Sequence, residues 1–78
     1  MFLVYILLCA DETFYTGWTN DMDKRLVQHN KGLASKYTRA RLPVKVVYQE
    51  QVPSKSAALT REMAIKKLTR QQKMLLLK

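Results

Sequence analysis

The chain has one cysteine, one histidine, two glycines and two prolines among its 78 residues. With Cys9 alone, no internal disulfide can form. With His29 the sole imidazole, a zinc cage of Cys and His ligands is excluded too. A reducing, cytoplasmic compartment is the expectation. The few breakers leave no linker, repeat or low-complexity tract, and no Gly-rich phosphate loop. Acids are also scarce: 6 Asp+Glu stand against 14 Lys+Arg, a formal net charge of +8. Two-metal nuclease sites need several converging carboxylates, and Asp11, Glu12, Asp21 and Asp23 fall where a turn or a helix start explains them. No Ser-His-Asp set is evident. Long hydrophobic runs are missing as well. The run from Phe2 to Cys9 is too short to span a bilayer, and no Lys or Arg precedes it. "LLCA" is only a faint lipoprotein signal, since bulky Leu8 precedes the cysteine and the charged leader is absent.

What is present is a small globular composition, 47% hydrophobic and 26% charged, with length for one domain over residues 1–78. The basic balance points to a polyanion, nucleic acid ahead of an anionic membrane. A merely soluble basic surface explains the charge equally well, so the site residues must decide.

Residues 2–9 form an unbroken apolar run, the mark of a central strand covered on both faces. Residues 13–19 alternate, with Ala10-Asp11-Glu12 as the hairpin connection. Directly opposed residues of an antiparallel pair share a face. A three-residue loop sets Tyr5 against Gly17 and Leu7 against Tyr15, which puts both tyrosines on one face. A two-residue loop separates them. The odd length is the expectation.

Asn20 followed by Asp23 reads as a helix start, running to about Lys31 with Gly32 past its end. Met22, Leu26 and Val27 are its apolar positions. "LASKYTRARL" is a basic connection with room for a helical turn. Pro43 opens a third strand over 44–52, in which Val44, Val46 and Tyr48 alternate with Lys45, Val47 and Gln49. A second helix begins at Ser54 or Ser56 and runs to about Lys67. "TRQQ" has capping-box form and starts a short helix ending "MLLLK". The expected fold is therefore α/β in the α+β sense: a three-stranded antiparallel sheet flanked by helices, in β-β-α-β-α-α order.

Arg25 and His29, four apart, share a helix face. Two cations there repel unless both address one anion; a solvated face is the plainer reading. Glu62 lies between Ala58 and Ile65 on one side and Leu59 and Met63 on the other. A carboxylate in an apolar sector costs free energy unless paired or metal-bound, and Lys66 one turn on offers the ordinary pairing.

The stretch "VYILLCADETFYTGWTNDMDKRLVQHN" resembles the amino-terminal half of a GIY-YIG domain. Val4-Tyr5-Ile6 stands at the first motif and Tyr15-Thr16-Gly17 at the second. Arg25 and His29 match the helix positions, and Glu62 the downstream metal-binding glutamate. "SKYTRARLPVKVVYQE" and "SKSAALTREMAIKKLTRQQK" extend the likeness to small stand-alone bacterial members. Val4 replaces the first motif's Gly and Thr16 the second motif's Ile.

The resemblance implies hydrolysis of DNA phosphodiester bonds, structure-selective or nonspecific, with one divalent cation, Mg²⁺ or Mn²⁺, in DNA repair or recombination; RNA is left open. Tyr5 would be the general base, its phenol acidified by nearby positive charge against the opposing effect of burial. Tyr15 would position phosphate or water. Arg25 would grip phosphate oxygens, His29 would assist proton transfer, and Glu62 would hold the metal. Gly17 leaves room beside Tyr5. Lys36, Tyr37, Arg39 and Arg41 would contact backbone phosphates. A nucleic-acid-binding module of the same fold that does not turn over is the alternative, and no membrane association is expected.

Overall fold

The computed structural model describes residues 1–77. Three antiparallel strands, β1 (Phe2–Leu8), β2 (Phe14–Thr19) and β3 (Lys45–Val52), form one sheet in the order β2-β1-β3. The helices are α1 (Met22–Asn30), α2 (Lys36–Arg39), α3 (Lys55–Lys66) and α4 (Arg70–Leu76). The expected order therefore gains one element, the single turn α2. Ser35 makes it by capping the amides of Tyr37 and Thr38. The terminal Lys78 of "MLLLK" lies outside the described residues.

β1 is central and apolar on both sides because each side faces its own layer. Val4 and Ile6 pack with Ala58 and Ile65, joined by Leu68 and Leu76 of the carboxy-terminal helical segment. Tyr5, Leu7 and Cys9 pack with Val44, Met22 and Leu26. A fully buried aliphatic side chain contributes roughly 1.5–3 kcal/mol, so alternate residues of one strand anchor two separate layers.

The hairpin has the odd-length loop. Cys9 N–H donates to the Thr13 carbonyl at 2.9 Å and Glu12 N–H to the Cys9 carbonyl at 2.9 Å. Glu12 takes a left-handed φ of 66°, as three-residue hairpin loops require at their last position. Asp11 braces the turn by accepting from the Thr13 amide at 3.1 Å and hydroxyl at 2.6 Å. The register that follows sets Tyr5 against Gly17 and Leu7 against Tyr15.

Three local expectations are corrected. The cap of α1 is Asp21 rather than Asn20: its carboxylate accepts from Lys24 N–H, while Thr19 Oγ1 accepts from the Asp21 amide at 3.1 Å. Val27 is exposed, so of the three apolar positions of α1 only Met22 and Leu26 face the sheet. The alternation of β3 breaks at a bulge, where Ile6 pairs Tyr48 but Leu7 pairs Val46. The extra residue, Val47, moves Tyr48 to the α3 side, while Val44 and Val46 stay on the α1 side.

α1 ends at Gly32, φ +76°. Gly32 N–H donates to the His29 carbonyl and Leu33 N–H to the Gln28 carbonyl; together these make a Schellman ending. Next to it, Asn30 clamps Val44 from both sides, Nδ2 donating to its carbonyl at 3.1 Å and Oδ1 accepting from its amide at 2.8 Å. The last turn of α1, which carries His29, is thereby tied to the start of β3.

Candidate active site

Tyr5 is 2% exposed, on the α1 face of the central strand. Its ring lies over Gly17: a Cβ added there would come within 2.5 Å of the phenol oxygen and 2.7 Å of Cζ. No larger residue could stand opposite this tyrosine without moving it. Tyr15 shares the face, two residues before the glycine. Its ring meets the His29 ring edge-on at 5.3 Å, and the Tyr5 ring meets His29 at 5.8 Å. Both strand tyrosines therefore converge on the one histidine.

His29 is buried, not a solvated helix residue, because the final turn of α1 presses it between β1 and α2. Tyr5 Oη lies 2.8 Å from Nε2, and Thr38 Oγ1 lies 2.9 Å from Nδ1. Burial, then the Arg25 charge, holds the His29 pKa below the ordinary 6.5. The imidazole is therefore neutral at pH 7 and able to accept a proton.

Burial dominates at Tyr5 as well. It pushes the phenol well above the usual tyrosine range, with Tyr15 and Glu62 adding to the rise and Arg25 opposing it. The expected acidification is overturned: desolvation outweighs the nearby guanidinium. Tyr5 is thus a neutral phenol hydrogen-bonded to an imidazole.

Arg25 is half-buried and lines a polar cavity of about 180 Å³ with Thr19, Asn20, Asp21, Lys24 and Gln28. Its charge reaches both Tyr5 and His29, although neither lines that cavity. Glu62, on α3, is near enough to influence Tyr5. Its side chain is 17% exposed, and Lys66 Nζ stands 3.8 Å from Oε2. The ordinary i,i+4 pairing is therefore present but longer than a hydrogen bond, and it leaves carboxylate lone pairs available. Ala58 and Ile65 are buried beside it, whereas Leu59 and Met63 are exposed, so Glu62 lies at the rim of the apolar sector rather than within it.

That donor set fits a hard cation. Mg²⁺ commonly takes one or two protein carboxylates and completes its shell with water and substrate oxygens. Among the described residues no three His, Cys, Asp or Glu side chains converge; Glu62, carried by α3 on the Val4 and Ile6 layer but near enough to influence Tyr5, would be the protein's carboxylate ligand.

α2 forms the opposite wall. Tyr37 stacks over Tyr15 at 6.0 Å between centroids. The Arg41 guanidinium lies 3.9 Å from the Tyr37 ring centre, donates to Asp11 Oδ2 at 3.0 Å and reaches the Tyr37 carbonyl at 2.9 Å. Arg41 thus braces the hairpin loop against α2. Lys36 and Arg39 are exposed on α2, with no ion pair among the described residues. Arg39 also packs its aliphatic stem beside Gly32.

Sequence reasoning missed Thr38, which is fully buried against His29. It sits in a run of exposed basic residues, and its only local signal is the Ser35 cap three positions earlier.

Comparison with known proteins gives the same assignment. The GIY-YIG catalytic domain family matches residues 1–75. A UPF0213 protein of Clostridium perfringens (strain 13 / Type A) is 57% identical over 74 residues, 95% of this chain and 80% of that protein. One from Syntrophus aciditrophicus (strain SB) is 53% identical over 76 residues, 96% of this chain and 87% of that one. The solution NMR structure of a UPF0213 protein from Bacillus halodurans superimposes with a TM-score of 0.61 at 43% identity, covering 97% of this chain and 82% of that chain. With two tyrosines over one glycine, an arginine and a histidine on the following helix, and a match that runs almost end to end, the chain belongs to the GIY-YIG catalytic domain family.

Proposed function

We propose that this protein is a divalent-metal-dependent endonuclease that hydrolyses DNA phosphodiester bonds, selective for DNA structure, in repair or recombination. The observation that carries this reading is the 2.8 Å contact of Tyr5 Oη with His29 Nε2, beside Arg25 and Glu62. A phenol raised by burial is a poor base alone, but one poised against a neutral imidazole can pass a proton on.

In the proposed reaction a water oxygen attacks phosphorus while its proton moves to Tyr5 Oη. The Tyr5 proton moves in the same step to His29 Nε2, giving an imidazolium. The P–O bond to the leaving oxygen breaks, and that oxygen takes a proton from solvent. Arg25 disfavours charge on His29, so the imidazolium returns its proton through Tyr5 Oη to solvent and the site resets. Arg25 also holds phosphate oxygens and offsets the charge that develops on them. Tyr15 orients the phosphate or the water across the shared face. Glu62 would hold the Mg²⁺ or Mn²⁺, which as a Lewis acid would stabilise charge on the phosphoryl oxygens. Lys36 and Arg39 contact flanking phosphates, with Tyr37 between them; Arg41, held by Asp11, contributes less.

The test is incubation with flaps, forks, junctions and plain duplexes, and with RNA strands of the same sequence, with and without Mn²⁺. Metal-dependent cleavage of branched DNA, abolished by Glu62→Gln with DNA binding retained, is the expected result. Salt-sensitive binding with no cleavage of any substrate would instead identify a non-catalytic binding module. Full cleavage by the Gln variant would remove Glu62 from the metal.

A further inference from the structure

Three protons and four polar groups form a closed line behind Tyr5. Tyr5 Oη contacts His29 Nε2 at 2.8 Å, His29 Nδ1 contacts Thr38 Oγ1 at 2.9 Å, and Thr38 Oγ1 lies 3.3 Å from the Ser35 carbonyl. A neutral imidazole carries one N–H, on either nitrogen. If it is on Nδ1, His29 donates to Thr38, Thr38 donates to Ser35, and Tyr5 donates to Nε2. All three protons are then used. If it is on Nε2, the ring donates to Tyr5, Thr38 turns its hydroxyl to Nδ1, and Ser35 loses that bond. The Tyr5 hydroxyl must then turn its proton away from the ring. Thr38 is fully buried, so the bond to Ser35 that only the first arrangement keeps sets the tautomer.

We propose that Thr38 is a positioning residue: it holds the proton of His29 on Nδ1, so that Nε2 stays a bare acceptor aimed at Tyr5. The inference rests on the nuclease reading for its consequence, but the tautomer can be measured without any substrate. Thr38 can do this because α2 has a fixed place. Ser35 caps its first amides, and the Ser35 carbonyl that receives the Thr38 hydroxyl also receives the Arg39 amide at 3.0 Å. The acceptor that ends the line is thus part of the backbone of the turn itself. The hydroxyl does the work here and the methyl fills space, so serine should substitute and valine should not. Valine keeps the shape but leaves an Nδ1 proton unpartnered, which favours moving it to Nε2. The ring then donates to Tyr5 instead of accepting from it.

The experiment is nitrogen-15 NMR of the imidazole, read from the chain's one histidine, in the wild type, Thr38→Ser and Thr38→Val. Melting curves and steady-state cleavage of a branched DNA accompany each sample. The wild type and the Ser variant should show Nδ1–H, and the folded Val variant a shift of proton population to Nε2. For Val, kcat should fall about 100-fold, the lower end of the range for a positioned base, with KM unchanged; Ser should restore it. An Nε2–H tautomer in the wild type overturns the proposal whether or not Thr38→Val folds. So does a folded Val variant that keeps the wild-type tautomer. If the wild type cleaves no nucleic acid, the nuclease reading fails alone, and the imidazole shifts still decide what Thr38 does.

Discussion

His29 offers a direct check on the electrostatics of the site, because its titration can be followed without overlap from another histidine. Its folded pKa lies below 6.5 through burial and the Arg25 charge. The unfolded chain therefore binds more protons than the folded one between 6.5 and the folded value. Stability from the neutral buried ring is fully present above pH 6.5 and declines as pH falls through the folded pKa. The melting temperature should drop on acidification through that window, and the drop should shrink in His29→Gln. An NMR titration midpoint at or above 6.5 would contradict the burial. Cleavage should rise with pH over the same window and then level off. Thr16 makes a second prediction at this scale. Its hydroxyl is buried with no partner among the described residues, on the sheet face opposite Tyr15 and Gly17. Thr16→Val keeps the shape and removes the orphan, for an expected gain of about 1 kcal/mol. That corresponds to a rise of roughly 4–8 °C in a domain of this size, with the tyrosine register untouched. A lower melting temperature would mean that the hydroxyl has a partner.

At the scale of elements, the end of α1 matters more than its length. Gly32 stands at φ +76°, and a Cβ there would lie 3.2 Å from Cγ of Arg39. Gly32→Ala should cost about 1–2 kcal/mol for the left-handed backbone alone, read by denaturant or thermal melting. Because His29 and the Asn30 clamp belong to the same turn, the His29 ring signals should shift as well. Unchanged stability would show that α1 does not need this ending.

For the whole molecule, the charge of +8 predicts DNA binding that weakens steeply with salt through counterion release. Lys36→Ala or Arg39→Ala should reduce affinity for all sequences alike and flatten the slope of log K against log salt by about 1 each. Arg41→Ala should behave differently. Its guanidinium is occupied by Asp11 and Tyr37, so the variant should loosen the hairpin loop more than it changes the slope. Equal slope changes for all three would show that Arg41 leaves Asp11 whenever DNA binds. Among the described residues no helix is long and apolar enough to cross a membrane.

Much of this was legible in the chain because it depends on local rules. The apolar run 2–9 required a strand buried on both faces, and the three-residue loop required Tyr5 opposite Gly17. Parity along a strand then brought the tyrosines together without any knowledge of the helices. The spacing of Arg25 and His29 likewise set them on one side of a helix. The balance between burial and charge could not be read this way. Sequence names the charges near Tyr5 and His29, but desolvation depends on which layers close over them, and here it outweighs Arg25 at the phenol. The bulge at Val47 and the place of Thr38 have the same origin. The first arises where β3 must satisfy two helical layers at once; the second arises where a single capped turn is laid across the end of α1. Local pattern determined which side chains could meet, and tertiary packing decided how deeply they are buried and therefore which of them holds the proton.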